Sequence, residues 1–372
     1  MASLRHLALS LRNRLLTSKR FQSAAGAFWP TRLIARRRAL ELFNIVAGFT
    51  YSQTLFACVQ LDLFTLLADG PMAGSDVATR LELEDDACRA LLDAAVALRL
   101  LQRFGKDEYG LGDLGAAMVD NAGVEGMVRH HAYFYRDMAD PLALLKKRSA
   151  DTALGEYWPY ADGTEHSAMD ESIVARYTAL MSASQPMIFE QIHAAYRLAK
   201  HRHLMDVGGG NGTFLAATAR VAPSLDLTLF DMEPVARLAK EHLAGEGLAD
   251  RVRICPGSFV SDELPQGADI VSLVRVLHDH DDDVVTALLA KVRRSLPPGG
   301  VVLVAEPLAD TEGAPQMGSV YFAFYLRAMG SGRPRRVEEI RAFLEAAGFE
   351  RVQLRRTRIP MLASVITATV PD

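Results

Sequence analysis

The sequence has few cysteines and few signals of export. Three cysteines, Cys58, Cys88 and Cys255, are scattered along 372 residues, so neither a disulfide framework nor a structural zinc site is expected. No compact apolar segment precedes a small-residue cleavage site, which argues against a secretory signal. Internal repeats and low-complexity segments are also lacking. A reduced, cytoplasmic setting fits this pattern, for a folded chain in which 49% of residues are hydrophobic.

Acidic residues are missing from the start of the chain. The first forty residues hold nine bases and no acid, whereas the other 332 hold 32 bases and 45 acids, a net charge of −13. Residues 1–38 therefore form a basic, leucine-containing arm on an acidic body. Such an arm is consistent with a transit peptide, with an interfacial helix on anionic lipid, or with a solvated terminus. The second possibility predicts peripheral membrane association.

Long apolar runs are also scarce. The longest uncharged stretch, Leu42 to Leu61, has twenty residues, which is long enough to span a bilayer. Six of these residues are polar: Asn44, Thr50, Ser52, Gln53, Thr54 and Gln60. This composition favours a buried amphipathic helix over a membrane span.

Residues 39–165 are predicted to be mostly helical. Short helices follow Leu61, Gly74 and Asp85, and a hairpin follows between Leu101 and Leu111. This is a winged-helix outline, which raises a DNA-binding hypothesis. The third helix opposes it, because acids there would repel phosphate. These acids are Glu82, Glu84, Asp85, Asp86 and Asp93.

Residues 166–372 are predicted to form an α/β domain. A connecting helix over 166–200 leads into short apolar runs that alternate with amphipathic segments. This alternation is typical of a doubly wound, Rossmann-like sheet. The predicted strands are Leu204–Val207, Leu225–Phe230, Val252–Cys255, Ile270–Val274, Val301–Ala305 and Val352–Leu354.

A glycine-rich turn follows the first of these strands. The segment from Leu204 to Leu215 reads LMDVGGGNGTFL, with glycines at 208, 210 and 212. The dinucleotide pattern GxGxxG fails, because Thr213 stands at its last position. Asp231 ends the next strand, where a carboxylate can bind both ribose hydroxyls. Asp206 would be unfavourable beside a pyrophosphate but suits an ammonium or a sulfonium. The spacing resembles that of class I S-adenosylmethionine (SAM)-dependent methyltransferases.

Two later sequence segments indicate which methyltransferase family the chain resembles. Leu273–Asp283 reads LVRVLHDHDDD, and Ser295–Glu306 reads SLPPGGVVLVAE. From about Leu40 onward the chain resembles the plant-type, caffeate- and flavonoid-like O-methyltransferase family. The resemblance implies SAM as cofactor, a helical N-terminal dimerisation domain and therefore a homodimer.

Residue roles follow from this resemblance by position. His278 would be the general base and Glu306 the carboxylate that orients its imidazole. The cofactor would be held by Asp206, Gly208, Gly210, Gly212, Asp231, Ser258, Phe259 and Arg275. Ser258 and Arg275 depart from the aspartate and lysine usual in the family. Pro334 stands where many relatives have a second glutamate beside the base, which implies weaker support for His278.

The HDHDDD run from 278 to 283 also permits a metal hypothesis, since hard cations prefer oxygen ligands. The alternative is that Asp281 to Asp283 cap a helix running to about Leu296, where acids favour the N-terminal dipole. We therefore expect no metal.

An apolar acceptor is expected from two aromatic and methionine-rich regions. They comprise Met317, Tyr321, Phe322, Phe324, Tyr325 and Met329, with Met181, Met187 and Phe189 upstream. Residues 49–53 (FTYSQ) and 329–334 (MGSGRP) resemble the carotenoid branch of the family, which acts on hydroxyneurosporene or demethylspheroidene in phototrophic bacteria. That branch implies methylation of a tertiary hydroxyl on an acyclic carotenoid. Phenolic or polyketide O-methylation, bacteriochlorophyllide C-20 methylation, and a winged-helix regulator that senses the cofactor remain alternatives.

Overall fold

The computed structural model describes residues 2–146, 151–158 and 171–372, without the side chains of 2–4 and 171. The chain divides into two compact units, Met1–Asp120 and Asn121–Asp372. The domain boundary expected at 165/166 and the start of the connecting helix lie outside the described residues.

The first unit is mainly helical. The arm consists of helices rather than an extended tail, and Ser18 caps α2 by accepting a hydrogen bond from the Phe21 amide. The helices are α1 (Ala2–Thr17), α2 (Lys19–Ala27), α3 (Trp29–Gln60), α4 (Leu63–Leu66), α5 (Gly74–Arg80), α6 (Asp85–Ala97) and α7 (Asp113–Ala116). The strands are β1 (Met72–Ala73), β2 (Leu101–Phe104) and β3 (Glu108–Leu111), in the order β1-β3-β2. The predicted hairpin is thereby confirmed.

The long helix α3 differs from its prediction. Within it, Cys58 and Val59 are buried, whereas Ile45 is 78% exposed and Phe49 is 69% exposed. The expected buried helix is wrong for the single chain, because only the C-terminal end of α3 is held in the core of this unit. By length and composition α3 could cross a membrane, with 11% of its apolar stretch buried. Core helices and signal sequences share these properties.

The second unit is an α/β domain. Its helices are α8 (Ala122–Asp137), α9 (Pro141–Lys146), α10 (Ala153–Tyr157), α11 (Glu171–Ala195), α12 (Thr213–Val221), α13 (Glu233–Gly245), α14 (Asp282–Ser295), α15 (Ala323–Met329) and α16 (Val337–Ala346). Its strands are β4 (His203–Val207), β5 (Asp226–Asp231), β6 (Val252–Pro256), β7 (Ile270–Val274), β8 (Val301–Glu306), β9 (Glu350–Arg355) and β10 (Ser364–Thr369).

The seven strands form one sheet, in the order β6-β5-β4-β7-β8-β10-β9. The first five are parallel, and β10 pairs antiparallel with both β8 and β9. β4, β7 and β8 are almost entirely buried, as expected for parallel strands covered by helices. The six predicted strands are confirmed, and β10 is additional.

This topology positions the site. Parallel strands share one carboxyl edge, and ligands of open α/β sheets bind in the crevice there. Gly208 follows β4, Asp231 ends β5, Arg275 follows β7 and Glu306 ends β8. Four predicted site residues therefore emerge at the same edge.

Candidate active site

A cavity of about 420 Å³ opens at the carboxyl edge of the sheet. Backbone-rich loops after β4, β5 and β6 line one part, and aromatic and methionine side chains line the other. The predicted site residues at its wall are Gly208, Gly210, Asp231, Ser258, Phe259, Arg275 and His278. Polar loops beside an apolar recess suit a polar cofactor and an apolar acceptor.

The glycine-rich turn needs its glycines for conformation and for space. Gly208, Gly210 and Gly212 have φ angles of +71°, +59° and +83°, which L-residues with a Cβ rarely adopt. A Cβ on Gly208 would stand 2.9 Å from Cγ2 of Val276. A Cβ on Gly212 would press against Leu243 of α13 at 2.9 Å, so this glycine serves packing behind the cavity wall.

Asp206 does not lie where the sequence suggested. It is 1% exposed and is absent from the cavity wall among the described residues. Its Oδ1 accepts a 2.6 Å hydrogen bond from the Ser272 hydroxyl. Burial raises the pKa of Asp206 to about 7. The residue lies beneath the glycine-rich turn rather than facing into the cavity.

Asp231, by contrast, lies at the wall. Its Oδ2 accepts a 2.8 Å hydrogen bond from the Gly210 amide, and its Oδ1 accepts one of 2.8 Å from its neighbour Met232. Burial outweighs these bonds and raises the pKa of Asp231 to about 6. The bond to Gly210 fixes the carboxylate of β5 against the turn after β4.

The loop after β6 carries Ser258 and Phe259. The Ser258 amide donates to Oδ2 of Asp262 at 2.8 Å, so the loop is closed on itself. Lys291 of α14 donates to three of its carbonyl oxygens, those of Phe259, Val260 and Asp262, at 2.9, 2.8 and 2.8 Å. All three ammonium protons are thereby used to fix the loop.

Arg275 links β7 to α11. Its backbone has a φ of +56°, and its guanidinium donates to Oγ of Ser184 at 2.9 Å and to the carbonyl of Met181 at 2.8 Å. The buried Nε atom has no hydrogen-bond partner within the described part of the chain. Arg275 therefore forms part of the cavity wall, and its guanidinium is held by α11.

His278 lies on a short 3-10 helix, Leu277–Asp279, directly after β7. Its Nδ1 bonds to Oε2 of Glu306, and its Nε2 lies 3.1 Å from Oδ1 of Asp279. Burial lowers the pKa of His278, but the Asp279 and Glu306 carboxylates outweigh it and the net pKa is raised. Burial also raises the pKa of Asp279 to about 6.

Glu306 is 1% exposed at the end of β8. Besides bonding to the imidazole, its Oε1 accepts from the amides of Val276 and Leu277 at 2.9 and 2.7 Å. One carboxylate thus fixes both the ring of His278 and the backbone that carries it. A second carboxylate beside the base comes from Asp279, next in the chain, and not from position 334.

The apolar part of the cavity only partly matches its prediction. Met181, Tyr321, Phe322, Tyr325 and Met329 lie at the wall. Phe322 meets the His278 ring edge-on, with ring centroids 5.7 Å apart. Met187, Phe189, Met317 and Phe324 are not among the described wall residues. Met127, Trp158 and Tyr177 complete this side and had no distinguishing signal in the sequence.

Asp281 and Asp282 of the HDHDDD run have separate partners. Asp281 accepts from the Gly332 amide at 3.1 Å, and Asp282 pairs with Arg333 and Arg335. The helix predicted here is confirmed as α14, but the predicted side-chain cap is wrong, because Asp281 precedes the helix without making a capping bond. No cluster of three or more metal-binding side chains occurs in the described ranges.

Comparisons with known proteins identify the family. Residues 135–350 match the O-methyltransferase domain model, and residues 43–121 match the O-methyltransferase dimerisation domain model. The chain belongs to this O-methyltransferase family. It is 42% identical to demethylspheroidene O-methyltransferase of Cereibacter sphaeroides, over 96% of this chain and 94% of that protein. It is 30% identical to acetylserotonin O-methyltransferase of Mus musculus, over 86% of each.

Solved structures of methyltransferases share this fold. Human N-acetylserotonin methyltransferase in complex with SAM has a TM-score of 0.74 and 24% identity, covering 90% of this chain and 98% of that one. CalO1, a calicheamicin-biosynthesis methyltransferase with S-adenosylhomocysteine (SAH) bound, has a TM-score of 0.75 and 25% identity at the same coverage. The enzyme is a SAM-dependent O-methyltransferase, and its dimerisation domain supports a homodimer.

The geometry of the site fits SAM. The turn leaves backbone open to a ligand at Gly210, where a Cβ would meet nothing within 4 Å. Asp231 presents a carboxylate at the end of β5, and Phe259 presents an apolar face from the loop after β6. These residues would hold the ribose and the adenine, and the bound cofactor would supply an electrophilic methyl group.

Two further contributors were not among the predicted site residues. Asp279 belongs to the HDHDDD run, and its position directly after His278 is the sequence signal that marks it. No sequence signal marks Lys291, because its partners are backbone carbonyl oxygens, which every residue has.

Replacing Lys291 with methionine should weaken cofactor binding selectively. The charge-assisted bonds to the loop after β6 are lost, and such bonds contribute about 1.5–3 kcal/mol, so we expect KM for SAM to rise about tenfold. The turnover number should stay within about threefold, because the base lies on another loop. Lys240→Met, at an exposed position on α13, is the matched control. Equal KM values for Lys291→Met and Lys240→Met would exclude this role.

Proposed function

We propose that the enzyme methylates a hydroxyl of an apolar small molecule, namely the tertiary hydroxyl of an acyclic carotenoid of the hydroxyneurosporene or demethylspheroidene type. The observation that carries this proposal is the 42% identity, over nearly the full length, to a demethylspheroidene O-methyltransferase. A second relative with this name, from Rhodobacter capsulatus, is 41% identical over 90% of the chain.

The cavity supports an elongated apolar acceptor. The recess beside His278 is walled by Tyr321, Phe322, Tyr325 and Met329, and Tyr321 stacks on Tyr325 with ring centroids 5.6 Å apart. Flat aromatic faces and an adaptable thioether suit a conjugated chain. A cavity of about 420 Å³ must also hold the cofactor, so it receives one end of a carotenoid while the rest stays outside.

In the proposed mechanism His278 is the general base. His278 and Asp279 both line the cavity, Nε2 of His278 lies 3.1 Å from Oδ1 of Asp279, and Glu306 holds Nδ1. As the acceptor oxygen takes the methyl group, its proton passes to Nε2. The carboxylates of Glu306 and Asp279 then stabilise the imidazolium. Gly208, Gly210, Asp231, Ser258, Phe259 and Arg275 would hold the cofactor.

The acidity of the acceptor determines when the proton leaves. A histidine of pKa ~6.5 and an alcohol near ~15.7 differ by about 9 units, or roughly 12 kcal/mol. Full ionisation before methyl transfer is therefore prohibitive. The proton leaves during or after transfer, and orientation in the site supplies ~7–11 kcal/mol. For a phenol of pKa ~10 the difference from the pKa of histidine is smaller, about 3.5 units.

An acceptor panel tests the substrate. Purified enzyme and SAM labelled in the methyl group are offered a hydroxylated acyclic carotenoid, simple phenols and a chlorin. We expect label to appear on the carotenoid oxygen with unchanged rate in the presence of chelator. Labelling of the phenol alone, or of a chlorin carbon, would overturn the carotenoid proposal. Activity that is lost in chelator and restored by Mg²⁺ would overturn metal independence.

We also propose that the arm binds anionic membrane, where such a substrate dissolves. Its bases lie beside exposed apolar side chains on α1 and α2, among them Leu7, Leu11 and Phe21. Apolar burial and attraction to anionic lipid act together in interfacial helices.

Deleting the whole arm, residues 1–38, should abolish co-sedimentation with phosphatidylglycerol vesicles. Binding of the full chain should weaken with salt and be smaller on phosphatidylcholine, because exposed charges are screened. Methylation of a detergent-dispersed carotenoid serves as the control and should persist after the deletion. Unchanged vesicle binding by the truncated enzyme would contradict the role of the arm.

A further inference from the structure

The turn that carries His278 is held by one later segment of the chain. Residues Ser331–Arg335, here called the brace segment, lie between α15 and α16 and bond to consecutive carbonyl oxygens of the turn. The Arg335 guanidinium donates to Leu277 and, at 2.8 Å, to His280. The Arg333 amide donates to His278 at 2.9 Å, and the Ser331 hydroxyl to Asp279 at 2.7 Å.

Side chains of the turn reinforce this contact. The carboxylate of Asp282 pairs with Nη2 of Arg335 at 2.7 Å. Arg335 is only 2% exposed, although it carries a charge. A buried cation needs an anion and several acceptors to offset its desolvation, and here Asp282 and the two carbonyls provide them. The planar guanidinium suits this arrangement because its donors are fixed in a fork.

We propose that Arg335 is a positioning residue for the base. Through the carbonyls of Leu277 and His280 it fixes both ends of the turn, and thereby keeps Nε2 of His278 directed at the acceptor. The inference rests on the proposed role of His278. It also explains how the base is supported in a chain with proline at 334, since the brace segment acts on the backbone of the turn instead of on the imidazole.

Kinetics can separate positioning from general stability. Arg335→Lys keeps a cation near Asp282, but one ammonium cannot reproduce the planar fork to both carbonyls. Small displacements of a catalytic group are costly, so we expect kcat with the hydroxylated carotenoid to fall about tenfold. KM for SAM and the dissociation constant for SAH should stay within about twofold. Ser331→Ala removes the bond to Asp279 at a position that also lines the cavity, and it should lower kcat by about threefold.

Arg341→Lys is the matched control. Arg341 also donates to a backbone carbonyl, that of Val352 at 2.8 Å, but lies on α16, so its variant should keep the wild-type kcat. Wild-type kcat in Arg335→Lys would overturn the proposal, as would equal losses of kcat in Arg335→Lys and Arg341→Lys. Full activity in His278→Gln would instead refute the base. A loss of kcat in His278→Gln together with wild-type kcat in Arg335→Lys would refute only the positioning role of Arg335 and would leave His278 as the base.

Discussion

Replacing His278 with glutamine should lower kcat by ~10²–10⁴-fold, the range expected for loss of a general base. With an alkyl alcohol as acceptor we expect a loss towards the lower end of this range. The proton of such an acceptor leaves late, so less of the activation barrier depends on the base. Affinity for SAH should stay within about twofold, since glutamine fills the same space and the cofactor loops are untouched. His193→Gln on α11 is the control, because that side chain is exposed.

The pH profile gives a second readout of the same variant. Histidine acts as a base only when unprotonated, so the rate falls as pH drops through its pKa. Burial and the Arg275 cation lower the pKa of His278, and Asp279 and Glu306 raise it to a net value above the ordinary 6.5. We therefore expect the rate of the wild-type enzyme to fall with decreasing pH at a midpoint above pH 6.5. In His278→Gln this acid limb of the pH profile should be absent. An unchanged limb in the variant would assign it to another group.

Replacing Gly332 with alanine should be nearly as damaging. Gly332 has a φ of +74°, and a Cβ there would overlap the carbonyl oxygen of His278 and the backbone of Asp279. Backbone cannot move aside as a side chain can, so the base would shift. A displacement of about 1 Å costs ~10²-fold in rate, and the strained backbone adds about 1–3 kcal/mol of instability. Steady-state kinetics and thermal unfolding measure the two effects.

Gly313→Ala separates strain from overlap. Gly313 has a similar φ of +77°, but a Cβ there would meet nothing within 4 Å. It should lose some stability and keep its kcat. If Gly332→Ala shows the same mild behaviour as Gly313→Ala, the close approach to His278 is unimportant for catalysis.

The sequence predicted those features that depend on strand order and local pattern. The glycines at 208 and 210, Asp231 and His278 all follow or end parallel strands, and the shared carboxyl edge brings them to one cavity. Asp206 could not be placed in this way. It lies inside β4 with its side chain buried against Ser272, and the pattern of a strand covered on both faces does not tell which face a carboxylate takes.

Contacts to backbone explain most of what was not predicted. Lys291 and Arg335 act on carbonyl oxygens of distant loops, and no residue type marks such a partner. The exposure of Phe49 on α3 was missed for another reason, since an apolar helix has the same composition whether its own chain or another partner covers it. β10 was missed because alternation of strand and helix does not anticipate an antiparallel insertion.

That insertion has a consequence for the order of folding. β9 joins the sheet only through β10, and Ser364 of β10 pairs with Glu306 of β8. β9 therefore cannot enter the sheet ahead of β10, although it comes first in the chain. β8, which ends in Glu306, lies between β7 and β10. The carboxylate that orients His278 thus gains one of its two neighbouring strands only when the end of the chain is in place, whereas the cofactor loops after β4, β5 and β6 do not depend on β10.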